Sequence, residues 1–412
     1  MAKPAFIVHG HFYQPPREDP RTGRVGSEPS AAPFHDWNER INKECYRPNS
    51  FARIHDETGR IVRIVNNFER MSFDFGPTLM PWLEAQAPDV YGRIVAGDRV
   101  GQGAIAMPFA HPILPLTQPR DALTQIRWGA ADFEHRFGRK PKGIWLPETA
   151  VNERVMALIA EEGFEFTILG AHQASAVRFP GGVWNQVVNE VDHGRGYRWI
   201  HPRSGAQVSI AFFDLDISHA IAFGNLTSSS DGFLREVEER ATRDFVLAAV
   251  DGETFGHHRV FGEKMLAHVL FEGAPSFGIQ ITNLTQLLQE ECPVVEVRVK
   301  ESSWSCAHGV RRWFDDCPCS TVPGSNHEWR WPLRQALDHV RDVATDVFLR
   351  RGGDLMSSSS SGADPWAVRD DYVRVVLGQT EFGEFAREHK IRHPTQAEAL
   401  LEAQRHSLLM YA

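Results

Sequence analysis

Short apolar runs that stop abruptly at polar residues recur through the first two thirds of the chain, with segments of helical period between them. "AFIVHG" (5–10), "GAIAMPFAHPILPL" (103–116), "PKGIWLPE" (141–148), "FEFTILG" (164–170), "QVSIAFFDLDIS" (207–218) and "FVLAAVDGETFGHH" (245–258) are such runs. Residues 120–137 and 151–163 carry apolar side chains at helical spacing, and 231–244 reads as a charged helix. Apolar strands of this kind need cover on both faces, so their alternation with helices selects a mainly parallel α/β sheet or barrel. In such folds the reactive groups collect where strands end.

The chain has 412 residues and a net charge of −9 without a basic stripe, which argues against nucleic acid or an anionic membrane as a partner. No run approaches the roughly 18 apolar residues that span a bilayer. The start, "MAKPAFIVHGHFYQPP", reads as a first strand rather than a leader. Four of the five cysteines lie between 292 and 319, which is not a distributed disulfide framework. These features point to a cytoplasmic protein. After about residue 296 the character changes. A Trp-, His- and Cys-rich loop leads into the amphipathic segment "WRWPLRQALDHVRDV", then a Ser-rich stretch (352–365) expected to be a flexible linker, then further helix from an Asp-Pro start. The expected division is a barrel over 1–295 and a helical region over 296–412.

Four polar clusters sit at strand ends. His9 and His11 lie two apart, on one face of an otherwise apolar strand. His111 interrupts a Pro-stiffened loop. Glu148 follows Trp145-Leu146-Pro147, and Asp251 and Glu253 follow the run 245–250, with His257 just beyond. Glu148 taken alone is also what a helix N-terminus favours, through the macrodipole. Two carboxylates, Glu148 and Asp251, on one rim make up the pair that glycoside hydrolysis requires: one ionised to attack, one protonated to donate. The 11 tryptophans, many beside Pro, Gly or charged residues, suit a glycan's apolar ring faces.

Taken together these residues resemble glycoside hydrolase family 57, over about residues 5–340 and in the family's motif order. His9-Gly10-His11 with Gln14-Pro15 is similar to the first motif, with Phe12 and Tyr13 intervening. Gly101 to Pro115 around His111 is similar to the second, and Trp145 to Glu148 to the third. Asp251 to His257 is similar to the fourth, with Val250 and His258 where Tyr and Trp are frequent. Ser302-Ser303-Trp304 with Trp313 and the helix near 329–339 is similar to the fifth. The wider pattern resembles a bacterial branch of the family. The resemblance implies a (β/α)7 barrel followed by a helical region, with activity on an α-linked glycan, an α-glucan before any other, by a retaining mechanism. It implies Glu148 as nucleophile and Asp251 as general acid/base. His9, His11, His111, Trp145, Glu253, His257, Trp304 and Trp313 are then the substrate-binding residues. No cofactor or metal is expected, and the partner is an oligo- or polysaccharide.

Two other functions fit the residues alone. Asp251, His9, His11 and His257 could ligate a divalent metal in a mannosidase-like or polysaccharide-deacetylase-like hydrolase. A glycan-binding module without catalysis is the other, and the presence of both carboxylates argues against it. Cys306, His308, Cys317 and Cys319 form a set that could hold a structural zinc, but the ten residues between Cys306 and Cys317 depart from the common Cys-x2-Cys patterns. The favoured expectation is that Cys306 and His308 line the cleft beside Trp304, with Cys317 and Cys319 packed nearby.

Overall fold

The computed structural model describes residues 5–240, 244–290, 292–319, 322, 324–356 and 364–411. Strand β1 (Ala5–Phe12) is buried along its whole length. Two parallel neighbours cover its edges, β2 (Ser72–Phe75) on one side and β6 (Phe245–Asp251) on the other. From β2 the ladder continues through parallel bridges from Phe73 to Ala104 and from Ala106 to Ile144. It then passes to β3 (Gly143–Ile144), β4 (Phe166–Gly170) and β5 (Gln207–Phe213), each step again parallel. The Asp214 N–H, just past β5, donates to the Leu247 carbonyl of β6 at 2.8 Å and closes the ring. The chain therefore forms a closed parallel barrel of seven strand segments, counting residues 104–106, in which no edge is left open. This is the expected (β/α)7 architecture.

Helices lie between the strands, and local chemistry sets their ends. Helix α1 (Pro119–Phe137) starts with proline, whose missing N–H would have been unpaired there, and ends at the left-handed Gly138. Helix α2 (Glu153–Glu161) is capped by Asn152, which accepts from the Val155 N–H at 3.0 Å. Helix α3 (Leu215–Ala222) is capped by Asp214, and α4 (Ser230–Arg240) precedes β6.

Ile61–Val65 pairs antiparallel with Ala52–His55 as a hairpin. Two parts depart from the sequence-based expectation. Beside β5, Gly196–Ile200 adds an antiparallel strand. Ala174–Arg178 and Glu296–Val299 extend that sheet, so the chain stays engaged with the barrel layer past residue 295. The stretch 352–365 is not linker throughout. Helix α5 (Arg330–Met356) runs through its first five residues, and Asp364 caps α6 (Pro365–Asp371) at its end. The residues between, 357–363, lie outside the described residues.

The C-terminal helices are built onto the barrel rather than hung from it. Trp128 of α1 and Phe109 share a hydrophobic core with Phe348, Tyr372, Phe385 and Leu401, the last on α7 (Pro394–Leu409). Buried Arg369 reaches back to Asp121 at 2.8 Å, and Arg127 pairs with Asp370 at 2.7 Å. Among the described residues no helix is long and apolar enough to cross a membrane.

Candidate active site at the carboxyl end of the barrel

The register of β1 assembles the site. His11 lies opposite Asp251 of β6 on one side and opposite Asp74 of β2 on the other, while His9, one pleat earlier, faces Ser72 and Ala249. In a parallel ladder paired residues project to the same side, so two carboxylates flank one imidazole at the rim. Asp74 was not anticipated. It is fully buried, and its two oxygens bind His9 Nε2 at 3.0 Å and His11 Nδ1 at 2.8 Å.

This triad sets the charges. Burial works against a charged His11, but the charge and hydrogen bond of Asp74 outweigh it, helped by Asp251 and Glu253, and lift its pKa to about 9. For His9 burial dominates and lowers the pKa, so it stays neutral. The tautomer that satisfies both partners donates from Nε2 to Asp74 and accepts the Ser72 hydroxyl at Nδ1, 3.0 Å away. Burial, and then the charge on His11, push His111 down to about 3. The imidazolium of His11 therefore donates from Nε2 to His111 Nε2 at 3.1 Å, leaving His111 with its proton on Nδ1. Tyr13 stacks on His111 with centroids 4.0 Å apart.

Glu148 arrives differently. It sits in the turn after β3 with φ 57° and ψ 19°, and Thr149 follows at φ 47°; His111 also has φ 61°. Left-handed backbone costs a residue with a Cβ about 1–3 kcal/mol and persists only where neighbours enforce it. Residues 302–304 supply that enforcement by running antiparallel to the turn: Val151 and Ser302 exchange backbone bonds at 3.0 and 3.1 Å, and the Trp304 N–H donates to the Glu148 carbonyl at 3.0 Å. Trp304 Nε1 donates to Glu148 Oε2 at 3.0 Å, and the Ser305 hydroxyl donates to the same oxygen.

Asp251 opens onto the cavity, yet protein crowds it closely. That crowding raises its pKa first, the charge of Glu148 adds to the rise, and His11 opposes it. Glu253 behind it is buried. Burial and then the charge of Asp251 push it up to about 7, and the Tyr46 hydroxyl donates to it at 2.7 Å. His257 binds Glu44. Their approach depends on Gly256, which has φ 134° and where a Cβ would lie 2.3 Å from the Glu44 carbonyl oxygen.

Glu148 and Asp251 border two cavities at once. One, of about 450 Å³, is polar and lined by His11, Tyr13, Arg17, His111, Glu253 and His257, among others. The other, of about 510 Å³, is walled by Phe213, Phe223, Trp304, Trp313 and Arg312. The anticipated residues thus divide. His11, His111, Glu253 and His257 gather in the first cavity, and Trp304 and Trp313 in the second. His9 and Trp145 are fully buried beneath the floor and border neither. The Trp145 indole lies face to face with His9 and His11, at 4.8 and 5.2 Å, so it supports the histidines rather than walling the cleft. Cys306 and His308 also border neither cavity. Their side chains turn toward Cys317 and Cys319 instead, which corrects the cleft-lining expectation.

The donor set proposed for a catalytic metal does not converge. Both ring nitrogens of His9 and of His11 are engaged by Ser72, Asp74 and His111, and His257 Nδ1 is engaged by Glu44. Among the described residues, the groups whose ligand atoms do meet are Cys306, His308, Cys317 and Cys319.

A family model described as glycosyl hydrolase family 57 matches residues 34–300. The chain belongs to glycosyl hydrolase family 57. A second model, described as a domain of unknown function (DUF3536), matches residues 326–412 of this family 57 chain. Over 268 residues it is 26% identical to a probable 1,4-alpha-glucan branching enzyme of Mycobacterium tuberculosis, covering 56% of this chain and 50% of that protein. Over 337 residues it is 25% identical to a 1,4-alpha-glucan branching enzyme of Thermococcus kodakarensis, covering 59% and 46%. The chain spans about half the length of the curated relatives it matches. An exo-type maltose-forming amylase from Pyrococcus sp. ST04 superposes with a TM-score of 0.75 at 16% identity, covering 98% of this chain and 74% of that one. A family 57 branching enzyme from Pyrococcus horikoshii superposes at 0.59 and 15% identity, covering 99% and 96%. At these identities the superpositions speak for the fold.

Proposed function

We propose that this family 57 chain cleaves or transfers α-linked glucan by double displacement, with Glu148 as nucleophile and Asp251 as general acid and base. The observation that carries this reading is that two carboxylates from different strand ends of one barrel border the same two cavities. Glu148 is held through Oε2 by two donors, which leaves Oε1 to attack. Asp251 is pushed toward its protonated form. In the first step Asp251 gives its proton to the glycosidic oxygen as Glu148 bonds to the anomeric carbon and the leaving sugar departs. In the second, Asp251 takes a proton from water or an acceptor hydroxyl, which displaces Glu148.

The first cavity offers imidazole and carboxylate groups for sugar hydroxyls, and the second offers indole and phenyl faces for a stacked ring. The names of the branching-enzyme and amylase relatives support α-glucan as the substrate class. On this reading a barrel unit over 1–295 carries the chemistry and 296–412 completes the cleft, and five cysteines outside any disulfide accord with the cytoplasm. The test is product analysis from α-linked gluco-oligosaccharides, followed by azide rescue. Glu148→Ala should be inactive and give a β-glycosyl azide, whereas Asp251→Ala should give the α-azide. A Glu148→Gln variant with wild-type turnover would sink the assignment, as would a carboxyl separation of roughly 6.5–9.5 Å rather than ~5–5.5 Å in a crystal structure.

A further inference from the structure

Cys306 Sγ lies 3.6 Å from both Cys317 Sγ and Cys319 Sγ, and His308 Nδ1 lies 3.3 Å from Cys319 Sγ and 3.5 Å from Cys317 Sγ. All four ligand atoms fall within 4.8 Å of one another. Zinc bonds of about 2.3 Å to sulfur and 2.0–2.1 Å to nitrogen, directed tetrahedrally, put sulfurs about 3.8 Å apart and sulfur about 3.5 Å from nitrogen. Four of the six edges, at 3.6, 3.6, 3.3 and 3.5 Å, match that tetrahedron to within a few tenths of an ångström, and the other two are no longer than 4.8 Å. Thiols are weak hydrogen-bond donors and give one another little reason to converge. Three of them meeting one imidazole is the donor set of a closed structural site, with no position left for substrate.

The surroundings fit as well. Zinc with three thiolates and a neutral imidazole carries a net charge of −1. The guanidinium of Arg330 lies within electrostatic reach of all three sulfurs and offsets that charge.

We propose that Cys306, His308, Cys317 and Cys319 bind one zinc ion that fixes the loop presenting Trp304 and Ser305 to Glu148. Cys306 directly follows Ser305, and Arg312 donates to the Ser305 carbonyl at 2.8 Å. Between Val299 and Arg330 the described chain has one short 3-10 turn, Arg311–Trp313, and no strand or α-helix. The loop that clamps the nucleophile therefore has little regular structure of its own. On binding, the three thiols release their protons and the ion closes an irregular loop that would otherwise be free to open.

The metal readouts do not depend on the proposed activity, so their failure is distinguishable from failure of the glucan reading. Protein purified without chelator is analysed for metal and then titrated with a mercurial thiol reagent. The expected result is one zinc per chain, released in step with modification of three thiols that resist neutral thiol reagents until then. Exchange with cobalt should give the visible bands of a tetrahedral, thiolate-rich site. Cys317→Ser and Cys319→Ser should each lose the zinc. If either fails to fold, the mercurial titration of the wild type still decides the matter. The proposal is overturned by zinc-free protein that takes up neither zinc nor cobalt, whether its thiols are free or paired as a disulfide. It is equally overturned by zinc retained at one per chain in both serine variants.

Discussion

Replacing Asp74 by Asn tests the electrostatics of the rim most directly. Asp74 is fully buried and shared by two imidazoles, and His11 is raised from 6.5 to about 9 chiefly on its account, against burial. At about 1.36 kcal/mol for each tenfold change in proton affinity, that rise is worth about 3 kcal/mol of folding stability. A raised histidine contributes fully below its unfolded value of 6.5, and the contribution disappears as pH climbs through 9. The Asp74→Asn amide keeps the shape and loses the charge, so burial should hold His11 neutral. The variant should then be less stable than wild type by about 3 kcal/mol near pH 6, and the gap should narrow toward pH 9.5. Urea unfolding of both proteins at the two pH values measures this, and other titrating groups cancel in the comparison. A cost that is the same at both pH values would refute the charged-pair argument. A wild-type profile flat from pH 6 to 9.5 would do so too.

Trp304→Phe and Ser305→Ala each remove one donor from Glu148 Oε2. Each should lower kcat by about tenfold with little change in KM, corresponding to about 1–2 kcal/mol for a bond to a charged group, and the double variant should lose more than either. Glu253 sits at about 7 against an ordinary 4.5, so its ionisation costs the fold about 3 kcal/mol between those pH values. Glu253→Gln should remove that decline, visible as a Tm that no longer falls from pH 4.5 to 7 relative to wild type. His11→Ala and His111→Ala should each lower kcat/KM, by tenfold or more. Unchanged specificity constants in both would remove the histidines from the sugar site.

The barrel was legible because its strands are apolar runs that stop at polar residues, and parallel burial leaves few other folds for that pattern. Glu148 and Asp251 were legible for the same reason, each being the first carboxylate after such a run. Asp74 was not, because it lies inside a run, between Phe73 and Phe75, where an acid looks like an interruption rather than an end. Its only sequence signal was a carboxylate in a buried strand that also needs a cationic partner. Ser305 was invisible because a bond across 157 residues has no local signature. The strands Ala174–Arg178 and Glu296–Val299 escaped for the same reason, being paired far apart in the chain. Trp145 was misplaced because composition suggests that an indole is near the site without saying whether it faces the cleft or underlies it. The cysteine spacing misled because the chain doubles back through the turn at Arg311–Trp313 and brings Cys317 onto Cys306.

The clamp on Glu148 also has a consequence for the order in which the protein comes into being. Pairing of β1 with β6 lets the barrel close once residue 251 is available, with both carboxylates and the histidines already on its rim. Trp304 and Ser305 are synthesised only afterwards, and at about 5–20 residues per second the interval lasts several seconds. Through that interval the turn at Glu148 has its local bonds and the one from Gln173 to the Thr149 carbonyl, but lacks the bonds from Ser302, Trp304 and Ser305. A nascent chain would therefore own a closed barrel whose Glu148 carboxylate is not yet clamped. A fragment ending near residue 300 would be a barrel with an incomplete candidate site, because the last part of that site is delivered by the segment that links barrel to helices.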